Sequence, residues 1–338
     1  MDPRDPVQRS SDDSLDLYDV VEWDSRSVLD RVSVLVYRGL HTLARTIIVV
    51  VAVAILLAQV FVGGLGAVID PVLGALTILS AVPAFVLTAY VWRSDVTSRE
   101  PVGLLVSTFL LGVLFAGFAA IVTGLLQPAF VLTGATLDAP VIGTIGLFYL
   151  VIGPVEEGVK LLAVRLQAFT DDRFDAVVDG AVYGAAAGLG FATIENALYI
   201  TSQTIGESGL GLLAAGGSVA TVRALAGPGH VIYSAFAGYY LGLAKFNPQN
   251  AGPIVVKGLL IAALIHGTYN SLVWVVPFAV ADVLSIAPLF AVFWFVVVFD
   301  GFFVYLLIRK LRTYRKAYNA THHDRQRPPA PELTEFEP

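Results

Sequence analysis

The sequence predicts an all-α, polytopic bundle of about eight membrane-spanning helices. Three observations predict it. The 338 residues are 56% hydrophobic and only 14% charged, with a mean hydropathy of +0.75, a balance outside the range of soluble domains. Apolar stretches long enough to cross about 30 Å of hydrocarbon recur along the chain. Lys and Arg also concentrate in alternate connections between those stretches.

Taken in order, the chain opens with a tail, 1–30, rich in Asp, Arg, Ser and Pro, expected to be solvated and disordered. An acidic stretch precedes any apolar run there, so no cleavable signal is expected. Residues 31–135 should hold an interfacial helix and three spans. In "SVLDRVSVLVYRGLHTLART", apolar residues at helical spacing alternate with basic ones, which suits a helix on the membrane surface. Spans are expected near 47–69, 71–92 and 102–125. A core over 136–276 adds spans near 141–167, 177–200, 210–245 and 255–276. Residues 277–318 supply the last span, near 283–308, and a basic juxtamembrane end. A second disordered tail, 319–338, closes the chain.

Arg93 and Arg99, Arg165 and Arg173, Lys245 and Lys257, and Arg309 to Lys316 mark one side, whereas 63–70, 135–140, 202–209 and 277–282 carry no Lys or Arg. By the positive-inside rule both termini are cytoplasmic. That count requires 210–245 to cross once although it is too long for one plain helix. Arg223 and "GPGH" (227–230) interrupt it, so a broken or re-entrant segment is expected near 210–230.

Within these spans lie groups that cost roughly 2.5–3.5 kcal/mol each when charged at mid-helix: Glu156, Glu157 and Lys160, Glu195 with Asn196, His230, His266 with Asn270, and Asp300. Lys160 can neutralise Glu156 at i+4 or Glu157 at i+3, which leaves one carboxylate over. Gly180, Gly184 and Gly188 form a four-residue stripe, with Glu195 two turns beyond. His230 heads a stripe of Ser234, Gly238 and Gly242. Small-residue stripes let helices approach closely, so both acid and imidazole should point into the bundle. Counting about 1.5 Å per residue from the inner ends, Glu156, Glu157, His230, His266 and Asn270 cluster near the midplane. Glu195 falls roughly 10 Å beyond the two carboxylates.

Carboxylates and imidazoles in a dry cavity can hold a divalent ion with an open position. Alternatively, a carboxylate works directly as general base on water while His and Asn stabilise an oxyanion. A transporter or proton pathway using the same cluster is the non-enzymatic reading. The chain has no cysteine, which excludes disulfides, thiolate nucleophiles and Cys-ligated metal. Neither HExxH nor GxGD occurs.

"EEGVK" (156–160), "FATIEN" (191–196), "GHVIYSAFAGYYLG" (229–242) and "HGTYN" (266–270) resemble, in order, the motifs of the PrsW family of intramembrane proteases. That family is distantly similar to the CAAX prenyl-protease and bacteriocin-processing group. The resemblance runs over roughly 140–275. It implies an intramembrane endopeptidase of the cell membrane that cleaves a membrane-spanning protein and has no nucleic-acid partner. It also implies catalytic or metal-binding roles for Glu156, Glu157 and His266, with Glu195 and His230 completing the site and Asn270 polarising the carbonyl. On this resemblance Glu157, His230 and His266 would bind a metal, expected to be zinc, with Lys160, Asn196 and Arg223 in support. Relatives argued to use a glutamate base without metal keep that alternative open.

Overall fold

The computed structural model describes residues 26–95 and 100–325, except for the side chains of 29, 30, 33, 36, 37, 40, 41 and 321–325. Most of the two expected tails therefore lies outside the described residues. Of the described tail residues, 28–30 begin the first helix, and the last helix runs on to Arg325.

Every regular element among the described residues is helical. Helix α1 spans Val28–Phe61, α2 Gly66–Ile69, α3 Pro71–Trp92, α4 Val102–Thr136, α5 Pro140–Leu147 and α6 Gly153–Leu166. They are followed by α7 Val177–Gln203, α8 Gly209–Lys245, α9 Ala251–Leu272, α10 Val276–Leu284 and α11 Pro288–Arg325. The expected surface helix and first span run together as the single helix α1. Two compact units divide the chain, Met1–Val51 and Ala52–Pro338. The first contributes α1 up to Val51, and every other element named here belongs to the second.

Seven segments among the described residues are long and apolar enough to span a membrane. The expected crossing at 141–167 is not among them. It carries Glu156, Glu157, Lys160 and Arg165 and is interrupted by a wide π-helical turn, Phe148–Ile152. There the Gly153 N–H bonds five residues back, to the Phe148 carbonyl. Pro154 follows at once, and such wide turns are a common way to absorb a register shift near functional sites.

The break expected near 210–230 is absent. Gly209–Lys245 is one continuous helix with Pro228 inside it. Proline removes one backbone donor, yet Gly227, Gly229 and His230 around it are buried, and packing on the flanks holds the turn. The irregularity thus falls in the segment before the carboxylates, not in the one before His230.

Helix α7 is the centre of the bundle, buried along nearly its whole length from Val177 to Ala192 and again at Ile194, Asn196 and Ala197. A Cβ on Gly180, Gly184 or Gly188 would collide with the backbone of Gly238, Ser234 or His230 on α8. Gly190 is pressed against Phe109 of α4 in the same way, and Gly112 of α4 against Ala187. The glycine stripes read from the sequence are therefore the contact line between α7 and α8. Around the far end of α7, Leu65, Ala116, Ala119, Phe191, Ile194 and Ala197 form a buried apolar cluster.

Candidate active site

Adjacent residues on a helix point about 100° apart, so Glu156 and Glu157 cannot share one environment. Glu157 is fully buried and turned into the bundle. Its Oε1 accepts from Lys160 Nζ at 2.7 Å and from His266 Nδ1 at 2.9 Å, and its Oε2 accepts from Ser234 Oγ at 3.2 Å. Glu156 faces a cavity of about 490 Å³. Its Oε2 has no hydrogen-bond partner, although His266 Nε2 stands 3.8 Å away and His230 Nδ1 4.0 Å away.

The approach of α6 to α9 follows from small residues. Gly153 abuts the Ala263 carbonyl, where a Cβ would not fit. Ala263 lies one turn before His266, so this contact delivers the imidazole to the carboxylates. The same logic places His230, since Gly188 of α7 rests on the His230 carbonyl.

Each imidazole is held by a carboxylate on the nitrogen that faces away from Glu156. For His266 that carboxylate is Glu157. For His230 it is Glu195, whose Oε2 accepts from Nε2 at 2.8 Å. Arg223 Nη2 lies 2.5 Å from the same Glu195 oxygen, and Arg223 Nε donates to Asn196 Oδ1 at 2.8 Å. Asn196 Nδ2 in turn donates to Ser80 Oγ at 2.9 Å. Lys160 Nζ also reaches His230 Nδ1 at 2.9 Å and lies 4.2 Å above the Phe191 ring. Tyr233 stacks on His266 with ring centres 5.1 Å apart.

Glu156, Glu157, Lys160, Glu195, Asn196, Arg223, His230 and His266 thus meet in one constellation, and Asn270 is on the cavity wall. Glu195 is no outlier: tilt and offset between helices make distance along an axis a poor measure of depth. The candidate ligand set differs from the expected one. The three groups whose ligand atoms converge within 4.8 Å are Glu156, His230 and His266. Glu157, expected as a ligand, instead sits behind His266 with its oxygens engaged by Lys160, His266 and Ser234. Sequence reasoning missed Ser80 and Tyr233 as site residues. Tyr233 at i+3 from His230 carried a helical-spacing signal; Ser80, 116 residues from Asn196, carried none. Asp300 is buried on α11 but does not line this cavity.

The donor set suits a divalent ion on three counts. Two imidazoles and a carboxylate are a known zinc-ligand combination. One buried carboxylate oxygen has no partner. Three carboxylates, Glu156, Glu157 and Glu195, meet only two full cations, Lys160 and Arg223.

The sequence model described as "PrsW family intramembrane metalloprotease" matches residues 100–301. The match extends well beyond 140–275 on both sides and takes in α4, which packs on α7. Protease PrsW of Bacillus subtilis (strain 168) is 30% identical over 190 residues, covering 56% of this chain and 78% of that protein. Protease PrsW of Shouchella clausii is 28% identical over 198 residues, 58% of this chain and 82% of its own. That of Halalkalibacterium halodurans is 29% identical over 219 residues, 64% and 90% of the two chains. No solved structure matches.

Proposed function

The chain belongs to the PrsW family of intramembrane metalloproteases, and from that premise we propose that this multi-pass membrane peptidase cleaves a membrane-spanning protein in the cavity faced by Glu156, His230 and His266. The observation that carries the reading is a Glu156 oxygen that has no hydrogen-bond donor, with Lys160 Nζ no nearer than 3.8 Å, between two imidazoles each backed by its own carboxylate. In metal sites, such a carboxylate behind a ligating histidine fixes the tautomer and the ring orientation.

Glu156, His230 Nδ1 and His266 Nε2 would hold the ion, with zinc the metal this donor set fits best. Such an ion supplies Lewis acidity to water and to a peptide carbonyl. The chain's own residues do the rest. Glu157 and Glu195 orient the two rings, while Lys160 and Arg223 pair with those carboxylates. The Asn270 amide, on the same wall, is placed to donate to the carbonyl oxygen of a bound peptide. The apolar part of the wall, with Phe148, Ile152 and Val292, accepts the side chains of a membrane segment.

One observation favours a second reading. Lys160 Nζ already occupies the hydrogen-bonding direction of His230 Nδ1, the nitrogen an ion would need. In that reading Glu156 takes the proton from water directly, and Lys160 holds His230 in place.

The orientation proposed is both termini on the cytoplasmic side of the cell membrane. Lys245 Nζ donates to the carbonyls of Asp171 and Phe174, and Tyr183 on α7 donates to Glu100. These bonds gather three basic connections at one end of the bundle, which supports that orientation with 140–166 as an eighth crossing.

The test uses purified full-length chain in nanodiscs and a single-span substrate. Wild type should cleave, and Glu156→Gln and His266→Ala should not. Wild-type rates in both variants would overturn the proposal. Activity abolished by a chelator and restored by Zn²⁺ assigns the ion; activity that survives exhaustive chelation assigns the direct glutamate base.

A further inference from the structure

A second group of acids lies at the end of the bundle where α3, α4 and α7 meet. Asp95 follows α3, Glu100 precedes α4, and Asp179 is in the first turn of α7. Each offers a carboxylate oxygen, and the three oxygens lie within 4.8 Å of one another. Two of the side chains are almost wholly buried, Glu100 at 2% and Asp179 at 0% exposure.

Their hydrogen bonds account for only half of their oxygens. Glu100 Oε2 accepts from the Tyr183 hydroxyl, and Asp179 Oδ2 accepts from the backbone N–H groups of Asp175 and Ala176 at 2.8 and 2.7 Å. Glu100 Oε1 and Asp179 Oδ1 are buried without any hydrogen-bond partner. Nor does a cation among the described residues pair with Glu100 or Asp179. Lys245 donates to the carbonyls of Asp171 and Phe174, and Arg173 is engaged by Asp171, whose carboxyl that contact holds down at about 2. Leaving buried carboxylate oxygens unpaired is costly, and a divalent cation held where the three carboxylates converge would remove that cost.

We propose that Asp95, Glu100 and Asp179 form a second metal site, for an oxygen-seeking divalent cation, Ca²⁺ or Mg²⁺. All three ligands are hard carboxylate oxygens with no imidazole, the donor chemistry of these ions rather than of zinc. The bound cation ties the α3–α4 connection to the N-terminus of α7, the helix that carries Glu195. The site goes beyond the proteolytic reading and does not depend on it.

Terbium provides the test, as a luminescent stand-in for such ions. Trp92 Nε1 donates to the Glu100 carbonyl at 3.2 Å, so a tryptophan is close enough to sensitise Tb³⁺ emission. Full-length chain in nanodiscs, stripped by chelation, is titrated with Tb³⁺ under tryptophan excitation. Saturable emission is expected, with apparent affinity lowered about 10-fold or more in Glu100→Gln and in Asp179→Asn and unchanged in Glu156→Gln. Asn at 179 retains an acceptor for the two backbone N–H groups, and Gln at 100 one for Tyr183. Asp95→Asn, at a less buried position, is the third variant should either fail to elute as a monodisperse peak. Competition by Ca²⁺ alone assigns calcium, and competition by Mg²⁺ as well assigns the broader site. No saturable emission in wild type, or emission that the folded variants retain in full, overturns the proposal.

Discussion

The two acidic clusters of this chain differ in what surrounds them. Glu156 opens onto a cavity and faces two imidazoles, each steadied by a further carboxylate and a neighbouring cation. Glu100 and Asp179 are almost wholly buried, and no imidazole or side-chain cation among the described residues pairs with them. Both clusters leave a buried carboxylate oxygen without a donor, so an unpaired oxygen alone does not distinguish a reactive site from a structural one. The neighbours do. Imidazoles with fixed tautomers and an open face can work on a substrate, whereas an enclosed set of oxygens can bind an ion and little else.

The comparison can be broken most directly at Glu156. Glu156→Gln should lower cleavage of a single-span substrate by about 1000-fold or more, since it removes either a ligand or the base; Glu100→Gln should leave the rate in the same assay nearly unchanged. Equal losses in the two variants would erase the distinction. Asn270→Ala should lower kcat by about 100-fold if its amide meets the developing oxyanion, with little change in KM. The orienting carboxylates come next: Glu157→Gln and Glu195→Gln should each cost about 10–100-fold in activity or in Zn²⁺ affinity, measured by a Zn²⁺ titration of chelated protein. Ser234→Ala removes a single hydrogen bond to Glu157, worth about 1 kcal/mol, and should slow cleavage only several-fold.

Much of the site was legible in the sequence because membrane burial makes polar residues conspicuous. Glu156, Glu157, Lys160, Glu195, His230 and His266 stood out as groups too costly for lipid, and the glycine stripes of α7 and α8 signalled which faces would meet. Three features were not legible. Which of two adjacent glutamates faces the cavity depends on the rotation of α6, which the π turn at Phe148–Ile152 and the Gly153–Ala263 contact set. The level of Glu195 depends on how helices tilt past one another. The Asp95, Glu100 and Asp179 group was not legible either: two of its members lie in the α3–α4 connection and the third in the first turn of α7, and no periodic pattern links them.

The sequence by itself determined a helical membrane protein, the residues too polar for lipid, and the small-residue seams along which helices could approach. These follow from the cost of placing charge and unpaired backbone in hydrocarbon, a penalty each segment carries on its own. Only the tertiary structure decided that Glu156 rather than Glu157 faces the cavity between His230 and His266, that the irregular turn precedes the carboxylates, and that three acids converge at one end. Those outcomes depend on helix rotation, tilt and packing, which are properties of pairs of segments and have no counterpart in any single stretch of chain.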